Sequence, residues 1–170
     1  MVNARHILGY RRKREGRTNY KKRLALLKSA KPRLVVRTSN RYVQVQLVTY
    51  EPDGDKVIVG LSSKFLQQHG WKGNGKSLPA VYITSQLLAK KAVEKGFTEA
   101  IADLGLQRHR AQGRLAAAIK GAIDGGLSLP ADPSVFPPAD RLAGKHLADN
   151  GVMASTVAKK LGVELKGDAA

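Results

Sequence analysis

The fold is determined by residues 33–61, which read RLVVRTSNRYVQVQLVTYEPDGDKVIVGL. The stretch holds three apolar runs separated by turn-forming residues, and the middle run alternates, with Val43, Val45 and Leu47 on one face. Alternation with a period of two is typical of a half-buried strand. Turns at Ser39-Asn40 and at 52–55 would reverse the chain. We therefore predict an antiparallel meander of three strands, at 33–38, 41–50 and 56–61.

Helical signals follow the meander. Ser77 can cap a helix over 78–95, and Gly96 ends it. The apolar stripe of this helix, which includes Val81, Leu88 and Val93, is expected to be buried. Further predicted elements are a helical turn at 63–68, a strand at 98–104, and helices at 112–124, 139–149 and 154–161. This order predicts an α/β fold with a mixed sheet and helices packed on it.

Composition divides the chain into three parts. Residues 1–32 form a basic arm with a short helix, which Thr18 or Asn19 can cap. Residues 33–126 form the mixed α/β core domain. Residues 127–170 begin with an extended segment, because four prolines fall within its first twelve residues, and continue with C-terminal helices.

The net charge points to a polyanionic partner. The chain has 30 Lys and Arg against 13 Asp and Glu, a net charge of +17, and residues 1–41 hold 14 of the basic residues but only one acid, Glu15. A compact chain with this charge repels itself unless it meets a polyanion. Nucleic acid is the favoured partner. A membrane surface is disfavoured because the apolar stripe of residues 20–27 is short.

The composition also excludes several functional classes. Without cysteine there is no disulfide, no thiolate zinc site and no cysteine nucleophile. No apolar run approaches the roughly 20 residues of a membrane span, and the N-terminus lacks the apolar stretch of a signal peptide, so we expect a cytoplasmic protein. The four histidines show no metal-ligand spacing, and no serine lies in a nucleophile elbow. We predict no catalytic site, metal, cofactor or small-molecule substrate.

Residues 70–77, GWKGNGKS, match the phosphate-loop pattern. In a P-loop, backbone N–H groups surround a phosphate, and the loop follows a buried parallel strand. The preceding residues 65–69, FLQQH, are a poor strand, and Pro79 disturbs the start of the helix that follows. A flexible basic loop is the favoured interpretation, and NTP binding stays as an alternative.

RNA is favoured over DNA because the sequence shows no helix-turn-helix, zinc finger or basic zipper. Arg-rich segments that order on binding are typical of RNA recognition, and we expect the arm to be disordered when free. Tyrosines among the cations can stack on unpaired bases, namely Tyr10, Tyr20 and Tyr42. A second cluster, Arg108-His109-Arg110 with Arg114, lies at the N-terminus of the helix over 112–124, where the helix dipole favours a phosphate.

The arm and the meander resemble a known family. The run from Arg11 to Lys28, RRKREGRTNYKKRLALLK, is similar to the beginning of the large-subunit ribosomal protein that binds 5S rRNA, the universal L-eighteen family in its archaeal form. The similarity continues in order through residues 31–37, 39–41, 69–71, 120–127 and 136–141, and so spans about residues 5–149.

This resemblance implies a structural, non-enzymatic protein of the large ribosomal subunit. It would bind 5S rRNA through the arm and the adjoining sheet face, contact 23S rRNA, and neighbour the L-five protein in the central protuberance. The family's bacterial members also use a basic His-Gly-Arg stretch near the second helix; Arg108-His109-Arg110 stands nearby with a different spacing to Gly113-Arg114. A general RNA- or DNA-coating protein remains the alternative. The implied RNA contacts are Arg11, Arg12, Lys13, Arg14, Arg17, Lys21, Lys22, Arg23, Arg33, Arg37, Asn40 and Arg41, to which the residue chemistry adds Tyr20, Arg108, His109, Arg110 and Arg114.

Overall fold

A four-stranded mixed sheet forms the centre of the protein in a computed structural model that describes residues 8–147 and 150–165. The strands lie in the order β3-β2-β1-β4. The first three pair antiparallel as the predicted meander, and β4 pairs parallel with β1. The mixed α/β fold predicted from the sequence is confirmed. The strands are β1 (Arg33–Thr38), β2 (Val43–Glu51), β3 (Gly54–Ser62) and β4 (Ile101–Asp103).

Six α-helices and two 3-10 helices accompany the sheet in the described residues. Two short helices belong to the arm, two pack on the sheet and two follow the proline-rich segment. The helices are α1 (Arg11–Arg14), α2 (Tyr20–Leu27), α3 (Leu78–Glu94), α4 (Arg114–Asp124), α5 (Ala139–Ala143) and α6 (Asn150–Lys160), and the 3-10 helices are Ser63–His69 and Pro133–Val135.

The inner face of the sheet packs on α3 and α4. Leu34 and Val36 of β1 are fully buried with Val81 and Leu88 of α3 in one apolar cluster. Their alternation along the strand explains why one face of the sheet is apolar. The opposite, outer face carries Arg33 and Arg37 among the other residues of β1.

Close packing between α3 and α4 depends on a glycine. A Cβ atom built on Gly121 of α4 would lie 2.5 Å from the carbonyl oxygen of Tyr82 in α3. Beside it, the Ser85 hydroxyl donates a hydrogen bond of 2.6 Å to the carbonyl oxygen of Ala118. The two helix backbones therefore approach as closely as the absence of a side chain permits.

A second apolar cluster lies on the far side of α3. Trp71, which is 2% exposed, packs there with Leu66, Tyr82 and residues of α5 and α6 such as Leu142. Because α3 takes part in both clusters, 12 of its 17 residues are buried. The division of the chain into arm, core domain and C-terminal segment stays a prediction.

Several element boundaries differ from those predicted. The strand predicted at 98–104 is divided, because Glu99 pairs with Ser128 whereas only 101–103 pair with β1. The helix predicted at 139–149 ends at Ala143, since Gly144 adopts a left-handed conformation with φ 79°. Residues 150–151, which the sequence suggested as a stop, instead open α6. Residues 148–149 and the tail at 166–170 lie outside the described residues.

Two details of burial and turn geometry were also predicted wrongly. Val93, expected in the buried stripe, is 37% exposed, because it lies beside Gly126, which has no side chain to cover it. The first hairpin loop is centred one residue later than expected. The backbone N–H of Ser39 donates to the carbonyl oxygen of Tyr42 at 2.8 Å, which leaves Asn40 and Arg41 at the tip.

Candidate nucleic-acid interface

The arm presents its cations on two short helices. All four residues of α1 are exposed basic residues, and the sequence did not predict this helix. The Oδ1 atom of Asn19 accepts a hydrogen bond of 3.1 Å from the backbone N–H of Lys22, as expected of the N-cap of α2. The rings of Tyr10 and Tyr20 lie 5.0 Å apart, centre to centre, and connect the two helices. Lys21 and Lys22 follow on the exposed side of α2.

Polar contacts within the arm fix the course of its chain. Glu15, the only acid among residues 1–41, accepts from Arg11 at 2.7 Å and lies 3.4 Å from Arg17. The Nε atom of Arg12 donates to the Thr18 hydroxyl at 2.9 Å. Each contact leaves most of the guanidinium facing solvent, so the arm remains a strongly cationic surface.

A first cleft, here named the arm cleft, separates the arm from the sheet. It has a volume of about 420 Å³. The Nζ atom of Lys22 reaches across it to the carbonyl oxygen of Gly105 at 3.3 Å. Asp103 is the only acid of its lining, so the arm cleft is a basic groove. Its lining comprises Arg12, Arg17, Thr18, Asn19, Lys22, Arg23, Leu26, Arg37, Asp103, Gly105, Leu106 and Gln107.

Arg33 is placed differently from the surface contact that the sequence predicts. Its side chain is 2% exposed, with Nη2 2.7 Å from Asp55 and Nη1 3.0 Å from Asp103. Strand pairing brings both carboxylates to the outer face beside Arg33, and the charge is buried between them. A guanidinium enclosed in this way has no surface to offer to RNA, so Arg33 does not remain among our candidate contacts.

The two carboxylates that hold Arg33 are themselves kept charged. Burial raises the pKa of Asp55, but the guanidinium groups of Arg33 and Arg23 outweigh it and hold this pKa below its ordinary value. Burial likewise raises the pKa of Asp103. A hydrogen bond from the Gly105 N–H and the charges of neighbouring arginines more than compensate, so the pKa of Asp103 is also lowered.

Arg37 and the hairpin tip extend the basic surface. Arg37 is 43% exposed and donates to the carbonyl oxygen of Asp103 at 2.8 Å, which aims it into the arm cleft. Asn40 and Arg41 are exposed at the tip. Tyr42, in contrast, packs against the loop before α3. Its ring lies so close to Gly75 that a Cβ atom on that glycine would be only 2.7 Å from it. Tyr42 is therefore poorly placed to stack on a base.

A second basic cleft, here named the helix-end cleft, lies where α3 and α4 begin. It has a volume of about 690 Å³. Three of the four residues of the second predicted basic cluster line it, namely Arg108, Arg110 and Arg114, and the fourth, His109, is exposed next to them. Gln107 lines both clefts and donates to the carbonyl oxygen of Val36 at 2.8 Å. The two clefts therefore adjoin. The helix-end cleft is lined by Thr38, Lys76, Ser77, Leu78, Gln107, Arg108, Arg110, Gln112, Gly113, Arg114, Leu115, Arg141, His146 and Leu147.

Sequence reasoning missed three residues of the helix-end cleft, two of them cations and one a histidine. Lys76, Arg141 and His146 come from separate segments that only the tertiary fold brings together. Lys76 belongs to the P-loop pattern and Arg141 to the stretch 136–141 that resembles the family, but no local sequence pattern marked Arg141 or His146 as part of a binding surface. No lining residue of this cleft is acidic.

The P-loop pattern at 70–77 does not have the structural context of a nucleotide site. A 3-10 helix, Ser63–His69, leads into it where a P-loop requires a buried parallel strand. Gly75 packs against Tyr42 and Ser63, and Trp71 is buried in the second apolar cluster. The loop is therefore fixed by packing, contrary to the flexibility expected from its glycines.

Neither metal ligation nor membrane insertion has support in the described residues. Within 8–147 and 150–165, no three His, Asp or Glu side chains are grouped to hold a metal ion. Among the described helices, none is long and apolar enough to cross a membrane.

Comparison with known proteins identifies the family. The family model described as "Ribosomal large subunit proteins 60S L5, and 50S L18" matches residues 4–100. The chain belongs to this family. It is a structural, non-enzymatic ribosomal protein of the large subunit, and its location is the cytoplasmic ribosome.

Archaeal members of the family are similar over most of the chain. The large ribosomal subunit protein uL18 of Korarchaeum cryptofilum is 47% identical over 146 residues, which are 86% of this chain and 75% of that protein. The uL18 protein of Methanoregula boonei is 43% identical over 160 residues, which are 94% and 92% of the two chains. The uL18 protein of Thermofilum pendens is 46% identical over 150 residues, which are 88% of this chain and 76% of that protein. The resemblance seen in the sequence is thus confirmed.

Proposed function

We propose that this chain binds 5S rRNA and helps to attach it to 23S rRNA in the central protuberance, next to the L-five protein. Membership of a large-subunit ribosomal family supports rRNA and ribosomal proteins as partners. The observation that carries the proposal is the continuity of the basic surface. Exposed cations run from α1 through the arm cleft to the helix-end cleft, and the two clefts adjoin at Gln107.

The mechanism is neutralisation of phosphates by the cations of the arm and of the two clefts. Binding releases condensed counterions, so the affinity falls as the salt concentration rises. Each phosphate contact adds roughly 0.7–0.9 to the slope of log affinity against log salt, and we expect about 6–10 such contacts. Tyr10, which is exposed beside Tyr20, can stack on an unpaired base. The N-terminus of α4 adds backbone N–H groups to the helix-end cleft. The contacts that we propose are Arg11, Arg12, Lys13, Arg14, Arg17, Tyr20, Lys21, Lys22, Arg23, Arg37, Asn40, Arg41, Arg108, His109, Arg110 and Arg114.

Competition between RNAs tests this function. Binding of the purified chain is measured to an archaeal 5S rRNA transcript and to a length-matched control RNA at about 0.2 M salt, where nonspecific phosphate binding is already weakened. A preference for 5S rRNA of about a hundredfold or more is expected of a shape-specific site. Equal affinity for the two RNAs, or for duplex DNA, would instead indicate a general nucleic-acid-coating protein.

Variants locate the binding surface. Deleting residues 1–31 should largely remove 5S rRNA binding, and the double substitution Arg12→Ala/Arg14→Ala should weaken it. The matched control is Lys159→Ala/Lys160→Ala at the exposed end of α6. The helix-end cleft lies at the beginning of α3, whereas Lys90 in the second half of α3 donates to the carbonyl oxygen of Gly162, just after α6. The end of α6 is therefore far from that cleft. Full-strength binding by the truncated chain would contradict the role of the arm.

A further inference from the structure

Five charged side chains form an unbroken alternating chain on the outer face of the sheet. The Nη2 atom of Arg23 lies 2.9 and 3.0 Å from the two carboxylate oxygens of Asp55. Asp55 is 2.7 Å from Arg33, Arg33 is 3.0 Å from Asp103, and Asp103 is 3.2 Å from Arg37. Three arginines thus alternate with two aspartates.

This chain of charges connects the arm to the sheet. Arg23 belongs to α2, Asp55 to β3, Arg33 to β1 and Asp103 to β4. No residue of α2 is fully buried, and its partly buried apolar residues are Tyr20, Leu26 and Leu27, so polar contacts share in holding this helix in place. Its polar anchors on the body are the bond from Lys22 to Gly105 and the ion pair from Arg23 to Asp55.

Of these anchors, Asp55 has the better-defined geometry. Both of its oxygens accept from Arg23, and one of them also contacts Arg33, which is buried and cannot move away. The Lys22 contact, by comparison, is a single long hydrogen bond from a flexible side chain. The Asp55 carboxylate is therefore the stronger of the two polar anchors of α2 on the body.

We propose that Asp55 is a positioning residue for RNA binding: it fixes α2, and with it the basic groove of the arm cleft, in the arrangement that an rRNA backbone recognises. The inference rests on the proposed rRNA binding. Asp55 touches no RNA itself. It acts through Arg23, by ordering the arm before RNA arrives and so lowering the entropy that binding would otherwise cost.

Simple electrostatics makes the opposite prediction for Asp55. A carboxylate beside a polyanion repels it, and neutralising the carboxylate would also leave more of Arg23, itself a proposed contact, available to a phosphate. On that reasoning Asp55→Asn strengthens RNA binding. If Asp55 positions the arm, the same substitution weakens binding by about two- to fivefold, as expected for a charged contact whose side chains are 35% and 28% exposed. The sign of the change therefore distinguishes the two effects.

The experiment compares Asp55→Asn with Asp53→Asn in the full chain. Asp53 lies in the same hairpin, is exposed, and takes part in no ion pair of the described residues. One readout is the affinity for an archaeal 5S rRNA transcript. The other is amide hydrogen exchange over residues 20–27 without RNA. We expect Asp55→Asn to weaken binding and to speed exchange in α2, and Asp53→Asn to leave exchange unchanged with equal or slightly tighter binding.

A second variant keeps the test valid if Asp55→Asn disturbs the fold. Arg23→Gln leaves the buried contact between Arg33 and Asp55 in place and should speed exchange in α2 by a similar factor. In that background, Asp55→Asn should add nothing to the exchange rate of α2. Additive effects would mean that Asp55 does not act through Arg23, and would overturn the inference.

The remaining outcomes are also decisive. Unchanged exchange in α2, or tighter RNA binding by Asp55→Asn, overturns the positioning role. If the unaltered chain binds 5S rRNA no better than the control RNA, the proposed function fails. The exchange readout uses no RNA, so it still shows whether Asp55 orders the arm, and the two failures are distinguishable.

Discussion

Replacing Arg33 with methionine should destabilise the fold strongly, although the substitution keeps the length and most of the volume of the side chain. Arg33 is 2% exposed and lies between two carboxylates. Its removal leaves two negative charges facing an apolar side chain, at Asp103, which is 10% exposed, and at Asp55, which is 28% exposed. The cost is then the desolvation of charges that have lost a partner, in addition to the lost attraction.

The magnitude follows from what each carboxylate retains. Breaking a buried ion pair by removing one partner costs about 3–5 kcal/mol. Here Asp55 keeps Arg23, and Asp103 keeps Arg37 and the Gly105 N–H. We therefore expect a smaller loss, of about 2–4 kcal/mol in the free energy of unfolding.

The chain supplies a matched control in Arg37. It lies on the same strand and contacts the same Asp103, but is 43% exposed. Arg37→Met should cost less than about 1 kcal/mol. In urea denaturation, with a slope of about 2 kcal/mol per molar, the midpoint should fall by about 1–2 M for Arg33→Met and by less than about 0.5 M for Arg37→Met. Equal shifts for the two variants would refute the argument that burial decides the cost.

Three further predictions concern packing, pH and salt. Gly121→Ala should lower the free energy of unfolding by about 1–2 kcal/mol, because the new Cβ would lie 2.5 Å from the Tyr82 carbonyl oxygen and this overpacking outweighs the gain in helix propensity. A thermal melt measures the effect, and a melting temperature equal to or above that of the unaltered chain would contradict it. The pKa values of Asp55 and Asp103 are lowered in the fold, so the stability that these two residues contribute is present above about pH 4 and is lost as the pH falls below that value. In urea denaturation, the midpoints at about pH 6 and about pH 3 should therefore differ less for Asp103→Asn than for the unaltered chain. Arg12→Ala/Arg14→Ala should reduce the slope of log affinity against log salt for 5S rRNA by about 1.5, and an unchanged slope would mean that neither residue contacts a phosphate.

The meander could be predicted because its signals are local. Alternation along Val43, Val45 and Leu47, with turn residues on either side, specifies both the strands and the face that is buried. The division of the predicted strand at 98–104 could not be anticipated. It depends on Ser128, which a separate segment brings to Glu99.

The candidate interface was predictable in its charge but not in its geometry. The density of cations in the arm identified the region, since net charge needs no knowledge of the fold. The burial of Arg33 depends on the pairing of β3 with β2 and of β4 with β1, which brings Asp55 and Asp103 to it, and Asp103 is 70 residues away along the chain. Arg33 lies on the outer face of the sheet, but its side chain is buried there because Asp55 and Asp103 cover it. Arg141 and His146 of the helix-end cleft depend in the same way on tertiary packing.

The distant anchors of the arm have a consequence for the order of events during translation. A chain emerges from its N-terminus, so α2 and the meander are made well before β4. Lys22 then waits for Gly105, 83 residues later, and Arg33 waits for Asp103. At about 5–20 residues per second, the delay before Gly105 is made lasts roughly 4–17 seconds. Until residues 103–105 have been made, the arm has its contact from Arg23 to Asp55 but not its bond from Lys22 to Gly105, and a nascent chain exposes it in this partly docked state to any RNA within reach.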